Sequence, residues 1–234
     1  HRETLLHERS GDEISAGEAK MTRSLLIAVA AAGLTFAALN LPTPDAQATA
    51  AVQPAAAGDE VAVFAGGCFW GMEGMFEHIK GVKSVIPGYA GGTARNANYP
   101  AVSSETTRHA ESVRIVYDPR QVSYTDLLGV FFTVAHDPTQ ANGQYPDKGT
   151  SYRSAIFPQN DVQRRMAASY IASLGRSGAF AKRIATRLES GTFYPAEAEH
   201  RDFMRRNPDH PYIVRWDKPR LAKLARTWPQ LYVR

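Results

Sequence analysis

The chain of 234 residues has one cysteine, Cys68, in the run Gly66-Gly67-Cys68-Phe69-Trp70-Gly71. A cysteine is nucleophilic only as thiolate, so its surroundings decide its chemistry. The apolar, β-branched run Glu60–Ala65 predicts a strand, and apolar residues at 69, 72, 75, 76 and 79 predict a helix. Cys68 would then sit at a helix N-terminus, where unpaired N–H groups and the helix dipole favour the thiolate. Two glycines allow a sharp turn and close approach of a substrate. Phe69 and Trp70 are suited to wall a small apolar pocket. The competing reading makes Cys68 a small buried hydrophobe and both aromatics core.

A nucleophilic thiol needs proton-transfer partners. His78, His109, His136, His200 and His210 are all candidates, and chain position does not choose among them. Glu111 opens a strand between apolar Ala110 and Val113; a carboxyl buried there would have a raised pKa and donate a proton at neutral pH. A solvated charge at a strand edge is the plainer reading. Tyr99 lies in one long loop, and Asp147 to Tyr152 lead from another into a strand. Tyrosine hydroxyls there can hold a polar oxygen, or the rings can simply pack.

A lone cysteine excludes an intramolecular disulfide, a Cys-rich zinc site and a Cys-x-x-Cys redox pair. If Cys68 is reactive, whatever resets it comes from outside the chain. Net charge is +4; residues 1–48 carry four basic and six acidic side chains, leaving +6 spread over the rest. No basic run appears, so a nucleic-acid partner is not expected. Gly 18 and Pro 14 exclude collagen-like and low-complexity classes.

Around the chemistry, the patterns predict strands at Glu60–Ala65, Val82–Tyr89, Glu111–Tyr117, Tyr152–Phe157 and Arg183–Leu188. Helices are predicted at Phe69–Ile79, Ser123–His136 with Ser123 as N-cap, Asp161–Leu174, Ala196–Arg206 and Lys218–Thr227. The first four strands and two helices run β-α-β-β-α-β. The expected fold is α+β, a split-βαβ (ferredoxin-like) two-layer sandwich with extra helices. Loops Thr93–Arg108 and Asp137–Ser151 are long enough to suggest active-site roles.

The N-terminal residues read as targeting. Met21-Thr22-Arg23-Ser24 is followed by 15 uncharged residues, Leu25–Leu39, then by Pro42, Pro44 and the small-x-small run Ala46-Gln47-Ala48. The apolar run is short beside the ~20 residues of a membrane span. The expectation is a signal peptide at 21–48, a linker at 49–58 and a catalytic domain at 59–234. Residues 1–20 are expected to be a polar upstream extension, with translation starting at Met21. The mature protein would be exported and periplasmic, off the membrane and monomeric; a retained N-terminal anchor is the alternative.

Five motifs in order resemble the peptide methionine sulfoxide reductase A family. They are Gly66–Gly71, Gly88-Tyr89-Ala90-Gly91-Gly92 with Asn98-Tyr99, His109-Ala110-Glu111, His136-Asp137-Pro138-Thr139, and Gly149–Ile156. The resemblance covers about Val61 to the C-terminal region. It implies thiol-dependent reduction of methionine S-sulfoxide, free or in proteins, and so repair of oxidised proteins. It also implies roles. Cys68 attacks the sulfoxide sulfur and is left as a sulfenic acid, and Glu111 protonates the oxygen. Tyr99 and Tyr152 hydrogen-bond that oxygen, Asp147 lies beside them, and Phe69 and Trp70 hold the methyl group. No bound cofactor or metal is implied, only an external thiol reductant, a thioredoxin-like protein or a small thiol.

The chain departs from the family pattern twice. A glycine is common before His-Ala-Glu, but Arg108 stands here; the expectation is an altered loop and a cation that lowers the Glu111 pKa. The C-terminal region, including Asn207–Val214, has no resolving cysteine, like the single-cysteine branch. Two other classes stay open: a binding-only or inactive homologue recognising oxidised methionine, and a Cys–His hydrolase using Cys68 and His109.

Overall fold

The computed structural model describes residues 54–234; the upstream extension, the leader and linker residues 49–53 lie outside the described residues. The elements are β1 (Glu60–Gly66), α1 (Phe69–Glu77), β2 (Val82–Ala90), α2 (Tyr99–Ser103), β3 (Ala110–Tyr117), α3 (Tyr124–Val130), β4 (Gly143–Gln144) and β5 (Asp147–Lys148). There follow β6 (Ser154–Ile156), α4 (Asp161–Arg176), β7 (Arg187–Leu188), β8 (Phe193–Pro195), α5 (Phe203–Arg206) and α6 (Lys218–Thr227). Among these residues no helix is long and apolar enough to cross a membrane.

The main sheet has the order β7-β6-β1-β3-β2-β8. Its middle four strands, β6-β1-β3-β2, pair antiparallel throughout. With α1 and α3 as the connecting helices, this is the expected split-βαβ arrangement. Strand alternation sorts the side chains: Ala62 and Phe64 join the large core on the helix side, and Val63 and Ala65 a smaller cluster on the other. Phe64 ties the layers together, with ring centroids 4.9 Å from Phe131, 5.8 Å from Phe76 and 5.9 Å from Tyr124. Burying each such side chain contributes roughly 1.5–3 kcal/mol.

Local signals account for the helices that hold. Ser123 caps α3 in a capping box: its Oγ accepts from the Asp126 N–H at 3.1 Å, and the Asp126 carboxylate accepts from the Ser123 N–H at 3.0 Å. A π-helical turn, Phe131–Ala135, carries α3 on to His136. Helix α6 falls where the periodicity predicts it.

The structure corrects several boundaries. The fourth strand covers only Ser154–Ile156, because Tyr152 belongs to a 3-10 turn, Thr150–Tyr152. The fifth shrinks to Arg187–Leu188, pairing parallel with β6. The predicted helix Ala196–Arg206 is broken into a turn, Ala198–His200, and the short α5, with Asp202 between them at φ +52°. Strand β8 was not predicted; three residues ending in a proline give almost no periodic signal. Neither long loop lacks structure: the first holds α2, and the second the hairpin β4–β5.

Candidate active site

Cys68 occupies the N-cap position of α1, directly after β1. Gly67 makes this junction possible. Its φ is +98°, and a Cβ there would lie 2.7 Å from Gln144 Cγ. Gln144 in turn bonds both the Asp137 N–H and carbonyl, fastening the second loop beneath the turn.

Glu111, at the start of β3, is buried at 3% exposure. Its carboxylate accepts a hydrogen bond from the Phe69 N–H at 2.9 Å, in the first turn of the helix that Cys68 caps. Burial pushes its pKa up to about 8; the Phe69 N–H opposes, and negative charge on Asp147 and Glu105 adds to the rise. Glu111 therefore holds its proton at neutral pH, as the strand context predicts, and the solvated-edge reading falls.

Cys68 overturns one expectation. The helix N-terminus does act on it, through the Trp70 N–H, but more weakly than burial and the charges of Glu111 and Asp217; the thiol is pushed well above its usual range. In the free protein Cys68 is a thiol. Desolvating a charge outweighs one backbone donor here.

Tyr99 and Tyr152 are half-buried at the same place. Burial, then the charge of Glu111, raises both phenols, so each remains a hydrogen-bond donor. Glu197 positions Tyr99, accepting from its N–H at 2.8 Å and from the Tyr89 hydroxyl at 2.7 Å. Glu105, at φ +59°, accepts from Thr150 Oγ1 and the Ser151 N–H, both at 3.1 Å, and so joins the loop of Tyr99 to the turn of Tyr152. Asp147, on β5, is raised chiefly by burial and accepts a hydrogen bond from the Tyr212 hydroxyl.

Trp70 is half-buried, stacked on Phe203 at 3.7 Å and edge-on to Tyr212 at 6.1 Å, and its indole N–H donates to His200 Nδ1 at 3.2 Å. Phe69 is 1% exposed and lies among Tyr89 and His200, so its ring belongs to the core.

A buried thiol, a neutral carboxyl and two phenols meet on a strand-to-helix turn. The family model for peptide methionine sulfoxide reductase matches residues 60–231. The chain belongs to this family. Among its relatives, peptide methionine sulfoxide reductase MsrA 2 of Mesorhizobium japonicum is 51% identical over 181 residues, covering 77% of this chain and 93% of the relative. The protein of the same name from Synechocystis is 53% identical over 178 residues, covering 76% and 83%. Two solved structures share the fold. Methionine sulfoxide reductase A of Corynebacterium diphtheriae has a TM-score of 0.57 and 35% identity, covering 72% of this chain and 84% of that one. Reduced Mxr1 from Saccharomyces cerevisiae has 0.58 and 29%, covering 69% and 92%.

Family membership makes the chain an oxidoreductase, and the histidines agree with that. His109 Nδ1 accepts from the Gly92 N–H at 3.2 Å and its Nε2 meets the Thr93 carbonyl at 3.0 Å, so neither nitrogen serves Cys68. His136 is similarly committed to the Phe131 carbonyl and Ser154, and burial lowers its pKa to about 4. The Cys–His pair of a hydrolase does not form.

Arg108 departs from the family pattern without the expected effect. It is exposed, its carbonyl accepts from Arg153 at 2.9 Å, and the left-handed residue of this stretch is Glu105 instead. The Glu111 pKa lies above the usual carboxylate range, not below it.

Sequence reasoning missed Tyr212, Asp217 and Phe203. They come from the C-terminal region, read there for its helices and its missing cysteines but not for site residues. The signal available was the aromatic Tyr212 beside Pro211.

Proposed function

We propose that this reductase converts methionine S-sulfoxide, free or within proteins, to methionine at Cys68, with electrons from an external thiol. The observation that carries the reading is Glu111, neutral at pH 7 and bonded to the backbone N–H adjoining Cys68. A sulfoxide sulfur is a poor electrophile until its oxygen is protonated, so thiol and acid must act on one molecule.

In the proposed cycle, Tyr99 and Tyr152 donate hydrogen bonds to the sulfoxide oxygen, and Trp70 bounds the methyl side. Glu111 passes its proton to the oxygen as the Cys68 sulfur attacks the substrate sulfur. The thiol proton leaves Cys68 and restores Glu111. The S–O bond then breaks, hydroxyl passes to Cys68, and methionine departs. Cys68 is oxidised by two electrons to a sulfenic acid, and the sulfoxide is reduced by two. One external thiol attacks the sulfenic acid, releasing water and forming a mixed disulfide; a second frees Cys68 as a disulfide of the reductant.

The lone cysteine supports dependence on an outside donor, and the leader-like residues 21–48 support export to the periplasm, where a thioredoxin-like protein would serve a monomeric enzyme. N-terminal sequencing of the exported protein should give a terminus near Thr49.

The decisive assay is turnover of methyl p-tolyl sulfoxide with dithiothreitol. Sulfoxide loss matched by thiol consumption is expected, and Cys68→Ser should abolish it. Near-native turnover in that variant would end the proposal.

A further inference from the structure

Helix α1 carries Glu73 and Glu77 one turn apart, so their side chains share a face. Like charges at that spacing oppose a helix. The segment 202–206 packs against this helix: Asp202 donates its backbone N–H to Glu73 Oε1 at 2.9 Å, and a Cβ on Gly74 would overlap Met204 Sδ. The segment thereby brings a third carboxyl to the pair. One oxygen from each of Glu73, Glu77 and Asp202 lies within 4.8 Å of the other two.

Glu73 sets this cluster apart from an ordinary acidic surface. It is 1% exposed, and its Oε2 is buried with no hydrogen-bond partner. Leaving a buried carboxyl oxygen unsatisfied is unfavourable, so packing does not account for the residue. Glu77 and Asp202 are half-buried. The three form a cup, with a buried, unpartnered oxygen at its floor and two carboxyls at its rim. The basic group beside it is Arg205, whose Nη2 lies 2.6 Å from Asp202 Oδ1 at the exposed side. Among the described residues that is its one ion pair, so the floor has no counter-charge from Arg205.

We propose that Glu73, Glu77 and Asp202 form a calcium site that clips α1 to the segment 202–206. All three ligands are carboxylate oxygens, the donor type of hard divalent cations rather than of zinc or copper. Calcium–oxygen distances of about 2.3–2.6 Å allow two ligands on one ion to stand up to about 5 Å apart, which the present spacing meets. Water completes the coordination on the open side. Magnesium binds at about 2.0–2.1 Å and demands near-octahedral geometry, so it fits a flexible three-carboxylate cup less well. Phe203, next to Asp202, stacks on Trp70 at 3.7 Å. The ion would therefore fasten the residue that backs Trp70. The site involves neither Cys68 nor Glu111, so the inference stands or falls apart from the reductase reading.

The full chain, stripped of metal with EDTA and dialysed, is titrated with calcium chloride by calorimetry at pH 8. About 0.1 M NaCl screens non-specific attraction. That pH favours ionised ligands, because burial raises Glu77 to about 7 and Glu73 to about 8. One ion per chain should bind, with a Kd of about 10⁻⁴–10⁻³ M. Tm should rise by about 2–4 °C at ten times that concentration. Glu77→Gln, on the rim, should weaken binding about tenfold or more and remove most of the rise in Tm. Glu73→Gln should do the same; if it does not fold, Glu77→Gln and Asp202→Asn decide the matter. If Glu73 serves only as a neutral acid holding the Asp202 N–H, calcium will leave Tm unchanged. That result, or no saturable binding below about 10 mM, would overturn the proposal. So would unchanged binding in Glu77→Gln and Asp202→Asn, or equal binding of magnesium.

Discussion

The Glu111 carboxylate accepts the N–H of Phe69 at 2.9 Å, which fixes the proposed acid to the residue adjoining the proposed nucleophile. β3 carries the proposed acid and the N-cap of α1 the proposed nucleophile, and this hydrogen bond ties the two elements together. That bond also works against the acid, since it stabilises the carboxylate; burial exceeds it and keeps the proton on.

Glu111→Gln should reduce kcat by about 10²–10⁴-fold, the usual scale of general acid catalysis. In the wild type the active form of Glu111 is protonated. Sulfoxide turnover should therefore fall as pH rises through about 8. A profile still flat at pH 9.5 would remove Glu111 from the acid role.

Tyr99→Phe and Tyr152→Phe each delete one donor to the sulfoxide oxygen. Each should lower kcat/KM by about 10–100-fold, the range for a hydrogen bond to a developing charge. Alkylation of Cys68 without substrate should remain close to wild type. Steady-state kinetics on both variants and on the double variant would check this.

Glu197 touches no reacting atom but holds the Tyr99 N–H at 2.8 Å. Glu197→Ala should cost about tenfold in kcat/KM, because it frees Tyr99 and leaves the Tyr89 hydroxyl without its acceptor. Combining it with Tyr99→Phe should add little further loss. Full additivity in that double-mutant cycle would show that Glu197 acts elsewhere.

Stability should decline from pH 6.5 to 8. Burial raises Glu73 and Glu111 to about 8, and Glu77 and Asp217 to about 7. The folded state then binds more protons than the unfolded state, whose carboxyls are already ionised, so raising pH favours unfolding. His136, lowered to about 4, has the opposite sign, but its contribution is complete above about 6.5. Melting temperatures across this window would test the sign; a rise toward pH 8 would contradict it.

Much of this site was legible in the chain because its parts obey local rules. Period-2 alternation put Val113, Ile115 and Tyr117 in the core, and Ser123 announced α3 three residues before its partner Asp126. The strand-to-helix turn at Cys68 followed from Gly66-Gly67 between two apolar patterns. What escaped depends on distant pairing. Phe193–Pro195 is a strand only because β2 lies beside it. Tyr212 and Asp217 reach the site from about 150 residues away, and no periodicity encodes that. The protonation of Cys68 was misjudged because a helix end is visible in sequence, whereas burial and facing carboxyls are not.

The grip of Glu105 on Thr150 and Ser151 couples two loops that would otherwise open separately. Tyr99 rides on one and Tyr152 on the other. The clasp therefore gives the two proposed donors to the substrate oxygen one shared anchor rather than two separate ones.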